Sequence, residues 1–291
     1  MRRTQEPGAH RRPVFIGLAA AGLVLSCSSG SSGRSQTTRA SVKTTTSAAL
    51  TRSARVVGES EVDSAYRQGV ARVDGGWIFS VNDGLFLTDE ALNQKAKLVP
   101  AIPAEWRARA FNHIGDIDVA NGVLYAPLEQ PDYERGRQAM LTYDAATLEY
   151  TGGVNVGQHE NSFVTVDPST DIAYSMDRFG GDALVRYEVG SGWRQLPPLR
   201  MSTRVEHVQG ADVHDGAVWL STDDASDGVY RVDLASGKVE ALGSIGHVDG
   251  EGEGIDATPS AKGDLHVLSI DVKLTPVRLI ELRVVAAPAS R

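Results

Sequence analysis

Only one cysteine, Cys27, occurs in 291 residues, which excludes an intrachain disulfide framework, a CxxC redox pair and a multi-cysteine zinc site. The folded part must be held by its apolar core, with no covalent staple. The apolar run VFIGLAAAGLVL (14–25) is too short for a standard transmembrane helix. Helical periodicity is scarce beyond residue 54. There is no GxSxG elbow and no phosphate-cradling loop. The glycine-rich stretch Gly250–Gly254 carries Glu251 and Glu253, which would repel phosphate. Basic residues are also few where a nucleic-acid binder needs them. The net charge is −8, and residues 1–54 hold eight Lys/Arg against one acid, so the remainder carries −8 − 7 = −15. A domain so acidic, with no basic stripe, excludes nucleic acid as a partner.

What is present is an ordinary soluble composition, 41% hydrophobic and 23% charged, with 30 Gly and 12 Pro. This excludes collagen, coiled coil and wholesale disorder. At the N-terminus, Arg2, Arg3, Arg11 and Arg12 precede the apolar run, and Ser26 and Cys27 follow it. That order is a signal peptide over residues 1–26. Arg11-Arg12-Pro13-Val14-Phe15 leaves both the general secretory and the twin-arginine export routes open. Residues 28–54 contain eight Ser and six Thr and no acid. Such a stretch cannot bury enough apolar surface to offset its ordering entropy, so residues 27–54 read as a flexible stalk.

Val24-Leu25-Ser26-Cys27 resembles the lipobox of bacterial lipoproteins. The resemblance implies cleavage before Cys27 and lipidation of its thiol, with diacylglycerol and palmitate. It implies a cell-envelope protein anchored to the membrane by lipid, on the extracytoplasmic face. An ordinary secretory signal, giving a secreted protein, is the alternative reading of the same residues.

From residue 55 the chain repeats. Short runs rich in Val, Ile, Tyr and Trp, such as WIFSV (77–81), IAYSM (172–176) and AVWLS (217–221), follow turns at Asp74-Gly75-Gly76, Asp167-Pro168 and Asp215-Gly216. Aligning the first strand of each unit places Gly69, Gly115, Ser162, Gly210 and Gly254 in one column, at intervals of 46, 47, 48 and 44 residues. A period in the mid-forties with three or four strands per unit predicts an all-β, five-bladed β-propeller over 55–285, with residues 286–291 as a C-terminal tail. A sixth blade would have to come from 28–60, most of which has the wrong composition. The segment RSARVVGES (52–60) supplies the strand that closes the last blade. The repeat pattern resembles the gluconolactonase, NHL-repeat and strictosidine-synthase-like propellers.

Propeller ligands bind near the axis, where loops lead into the innermost strands. His113, His159 and His207 sit in those loops at the blade period, and Glu251 follows in the next unit. Three imidazoles and a carboxylate make a first shell for Zn, Mn or Fe. Glu160, Asn161, Glu206 and Glu253 lie beside them, and Asp116, Asp212 and Asp256 lie just inside the strands. These seven would orient the imidazoles, or form a separate oxygen-rich site for Ca²⁺. The gluconolactonase-like resemblance implies an axial metal on Glu, Asn and Asp; this chain has His at those positions, so that ligand set does not transfer whole. The same recurrence equally suits hydrogen bonds that lock blade to blade. Three functions follow: a monomeric tethered propeller binding a metal, small molecule or protein on its axial face; a metal-dependent hydrolase or lyase; or a structural envelope protein. No catalytic residue is singled out.

Overall fold

The computed structural model describes residues 52–178, 180–246, 250–271 and 275–286. The signal peptide, Cys27 and nearly all of the stalk lie outside the described residues, as does the tail beyond Ala286. Among the described residues no helix is long and apolar enough to cross a membrane.

Five antiparallel sheets form the five blades of a propeller. The chain enters along β1 (Arg52–Val62), the outermost strand of the fifth blade. The first blade is β2 (Val70–Val73), β3 (Gly76–Val81), β4 (Gly84–Asp89) and β5 (Gln94–Leu98). In the second, the inner strand is broken into β6 (His113–Ile114) and β7 (Asp118–Ala120), followed by β8 (Val123–Glu129), β9 (Ala139–Asp144) and β10 (Tyr150–Asn155). The third is β11 (Thr165–Asp167), β12 (Ile172–Ser175), β13 (Gly180–Glu188) and β14 (Arg194–Glu206). The fourth is β15 (Val208–His214), β16 (Ala217–Thr222), β17 (Gly228–Asp233) and β18 (Val239–Ser244). The fifth is β19 (Gly250–Asp256), β20 (Leu265–Asp271) and β21 (Val277–Ala286), completed by β1, which pairs antiparallel with β21 from Arg52↔Ala286 to Val62↔Val277. The five-bladed expectation holds, and the closing strand reaches into the segment read as stalk.

Each inner strand packs against that of the next blade, in the order β2, β7, β11, β15, β19 and back to β2. Apolar side chains fill the wedges between blades. Trp77 is packed between the fifth and first blades, Tyr125 between the second and third, Tyr174 between the third and fourth, and Trp219 between the fourth and fifth. These strand aromatics are core, which is why β-branched and aromatic residues dominate the inner runs.

The repeating glycine column now has its cause. A Cβ on Gly254 would lie 2.6 Å from the Cα of Gly69, and one on Gly210 would lie 2.7 Å from the Cα of Gly254. At these positions the inner backbones meet around the Asp116 carboxylate, and a further side chain has no room. Ser162, the one exception, points its hydroxyl to the carbonyl of Val208 in the next blade at 2.9 Å.

Candidate functional site

The axis is plugged by a single carboxylate. Asp116, in the gap between β6 and β7, accepts N–H bonds from Val70 (3.1 Å), Ile117 (3.0 Å), Ala211 (2.9 Å) and Ile255 (3.3 Å). Its own N–H donates to the Ser162 carbonyl at 2.7 Å. One residue thus touches all five blades. Burial pushes its carboxyl well above the usual range, and the backbone N–H bonds pull it back.

A second tier of acids lies inward of this plug. Asp118 accepts from Val166 N–H at 2.7 Å and from the Thr165 hydroxyl at 3.0 Å. Asp212 accepts from Ala257 N–H at 2.6 Å, and Asp256 from Arg72 N–H at 2.7 Å. Val213 N–H in turn donates to Thr165 Oγ1 at 2.7 Å. Each bond joins one blade to its neighbour. Burial pushes Asp118 up to about 6 and Asp212 well above the usual range, with the charges of Asp118 and Asp256 adding to the latter. Asp116, Asp212 and Asp256 are accordingly blade ties rather than supports for the imidazoles.

The three histidines stand apart. His113 Nδ1 lies 3.2 Å from Glu129 Oε2, and its Nε2 lies 2.5 Å from Gln68 Oε1. His159 Nδ1 lies 3.1 Å from Asp177 Oδ2, and its N–H donates to Oδ1 of the same carboxylate. His207 is exposed and lies 3.0 Å from Asp223 Oδ1. Each histidine pairs with an acid 16 or 18 residues downstream, just at or beyond the end of the second strand of its own blade. The recurrence is a repeated intra-blade tie between the entering loop and strands β8, β12 and β16. Among the described residues no three His, Cys, Asp or Glu side chains gather as a metal centre. The shell expected from His113, His159, His207 and Glu251 is therefore not assembled. Glu251 is exposed on β19. Glu206 pairs with Arg204, and Glu160 lies 4.0 Å from Arg178.

What the axis does offer is a cup of about 190 Å³ above the Asp116 plug. Gln68, His113, Glu129, Tyr133, Gln209 and Glu253 line it. Most of these side chains are committed. Glu129 accepts Asn161 N–H at 2.6 Å and the Tyr133 hydroxyl at 3.4 Å besides facing His113, and Gln209 donates to Asp223 at 2.6 Å. Glu253 differs. It is 6% exposed, and among the described residues its carboxyl accepts no hydrogen bond. Burial pushes it well above the usual range, helped by the charges of Glu251, Asp223 and Asp116. Asn161, fully buried beside Glu129, also has a side-chain oxygen without a partner. Glu129, Gln68 and Gln209 were missed in the sequence. An acid 16 or 18 residues after each repeating histidine is the signal that could have found Glu129.

Fold and cup together define a five-bladed β-propeller with a carboxylate-lined axial cup. No family model matches the chain, and no curated protein matches it either. Among solved structures it is similar to a luciferin-regenerating enzyme, with 10% identity over 72% of this chain and 74% of that one, at a TM-score of 0.47. No residue role follows from that likeness.

Proposed function

We propose that the protein is a binding propeller, lipid-anchored through Cys27 on the extracytoplasmic face, whose axial cup takes a small cation. The single observation that supports the cup is Glu253, a buried carboxyl at the axis with no internal donor. Its oxygens face the cup, so a bound cation or ammonium would meet a carboxylate that no internal donor has taken. Glu253 is the uncommitted carboxylate of the cup, and Glu129 would have to give up bonds to join it.

Metal analysis of the purified protein, followed by calorimetric titration with Ca²⁺, Mn²⁺, Zn²⁺ and ethanolamine, tests the cup. The sign of the pH effect follows from the raised Glu253 carboxyl. Below its folded pKa the group is neutral and attracts no cation; above it the group is charged. Affinity should rise with pH, by up to about tenfold per unit below that pKa. Glu253→Gln should abolish both the binding and its pH dependence. If none of the four probes binds at either pH 5.5 or pH 8, the cup is not a cation site.

The anchor rests on the order of basic residues, apolar run, Ser26, Cys27 and hydroxylic stalk. Cys27→Ser, expressed in a bacterium that lipidates such proteins, should move the chain from the membrane fraction to the soluble one. A variant that still fractionates with membrane overturns the lipid anchor.

A further inference from the structure

Beside the cup lies a groove of opposite sign. It encloses about 530 Å³ and is lined by Arg109, Phe111, Gln130, Arg135 and Arg137. No carboxylate lines it, although residues 55–291 hold 36 acids against 21 bases. The three arginines are exposed, and of them only Arg135 is paired with an acid, Asp132, so the concavity keeps a positive potential that favours an anion.

Arg109 is held in place, and the loop that carries the other two arginines is fixed at its base. Arg109 stacks over the rings of Trp106 (4.4 Å) and Phe111 (5.3 Å) and bonds to Asn155. Arg135 and Arg137 ride on the loop 130–138, whose base is clamped by two buried glutamines. Gln130 N–H donates to Gln138 Oε1 at 2.9 Å, and Gln138 Nε2 donates to the His159 carbonyl at 2.6 Å. Gly136, at φ +58°, ends the short turn Tyr133–Arg135 and separates the two arginines. Arg135 places its Nε 2.6 Å from Asp132. Arg137 makes no ion pair among the described residues. A loop decorated with arginine only for solubility would not need two buried amide side chains to fix its shape.

We infer that this groove binds a phosphate group, the guanidinium edges of Arg109, Arg135 and Arg137 taking its oxygens and Phe111 flooring the site. Guanidinium forks match the oxygens of a phosphate group, which offers at least two charged or strongly accepting oxygens to separate donors. The phosphate is either that of a soluble ester or that of an anionic lipid headgroup, and the experiment separates the two.

The full chain carrying Cys27→Ser, which removes the lipid, is titrated with inorganic phosphate and pyrophosphate. It is also cosedimented with phosphatidylglycerol vesicles, using phosphatidylcholine vesicles as the neutral reference. Saturable binding to pyrophosphate with none to vesicles assigns a soluble ligand. Binding only to phosphatidylglycerol assigns a headgroup. In either case Arg135→Gln with Arg137→Gln should weaken binding by about tenfold or more. Arg137→Gln alone should give part of the loss with an unchanged melting temperature. Arg194→Gln with Arg200→Gln, the same charge change on β14, should leave binding as it was. Equal weakening by both double variants, or no binding of any probe, overturns the inference.

Discussion

Replacing Asp116 by alanine is expected to bring the propeller close to unfolding. The side chain accepts four backbone N–H groups, from Val70, Ile117, Ala211 and Ile255, in a fully buried position at the axis. Each buried donor left without an acceptor costs about 1–3 kcal/mol, so the loss is about 4 kcal/mol or more, against a typical total of about 5–15. For a domain of this size that is a fall in Tm of about 10 °C or more. Asp116→Asn keeps the shape but leaves one acceptor oxygen and turns an NH₂ toward donors, so it should be nearly as damaging. Asp233→Ala makes a fair comparison. Its carboxylate also accepts a backbone N–H, from Ser236, but in an exposed hairpin turn where water can replace it. That change should cost about 1 kcal/mol or less. If the Asp116 variants melt no lower than Asp233→Ala, the axial pin is not what joins the blades.

The comparison of sequence with structure turns on what a repeat can mean. The column Gly69, Gly115, Ser162, Gly210, Gly254 was visible because steric exclusion at the axis acts on residue type directly. Blade number and strand runs followed from it. His113, His159 and His207 recur just as regularly, yet periodicity only places residues at equivalent points in their own blades. Whether such points converge depends on their distance from the axis, and these three turn to Glu129, Asp177 and Asp223 instead. Asp116 and Asp212 carried the opposite problem. Their partners are backbone amides, which leave no mark in the sequence. Glu253 was placed beside the expected shell, but its isolation from donors is a property of burial and could not be read from GEGEG. The closing strand was legible as RSARVVGES (52–60) because five units left the last blade one strand short, and β1 starts there at Arg52 and runs on to Val62.

A chain beginning at Glu61 should lose the closed ring. Residues 52–60 supply most of the ladder between β1 and β21, from Arg52↔Ala286 to Ser60↔Leu279. They also reach the fourth blade, where Arg52 lies 2.8 Å from Glu240 of β18, and Ala54 packs on the core between the fourth and fifth blades. At about 0.5–1.5 kcal/mol net for each backbone hydrogen bond, the lost ladder is worth on the order of 5 kcal/mol, which rivals the whole stability of an ordinary domain. The damage is not only thermodynamic. β21 is apolar where it runs VRLIELRVV (277–285), and without β1 its outer edge presents unpaired N–H and C=O groups to other molecules. Edges of that kind pair intermolecularly, so the shortened chain should elute as oligomers or precipitate rather than run as a monomer. A peptide of sequence RSARVVGESEV (52–62), added in trans during refolding, should restore the monomer by occupying the vacant edge. The rescue matters because truncation damages many proteins for unrelated reasons, whereas recovery by one strand identifies the missing ladder as the cause. Unchanged melting and a monomeric elution profile without the peptide would show that the ring closes through side-chain packing between the first and fifth blades alone, around Trp77, Phe79 and Leu268.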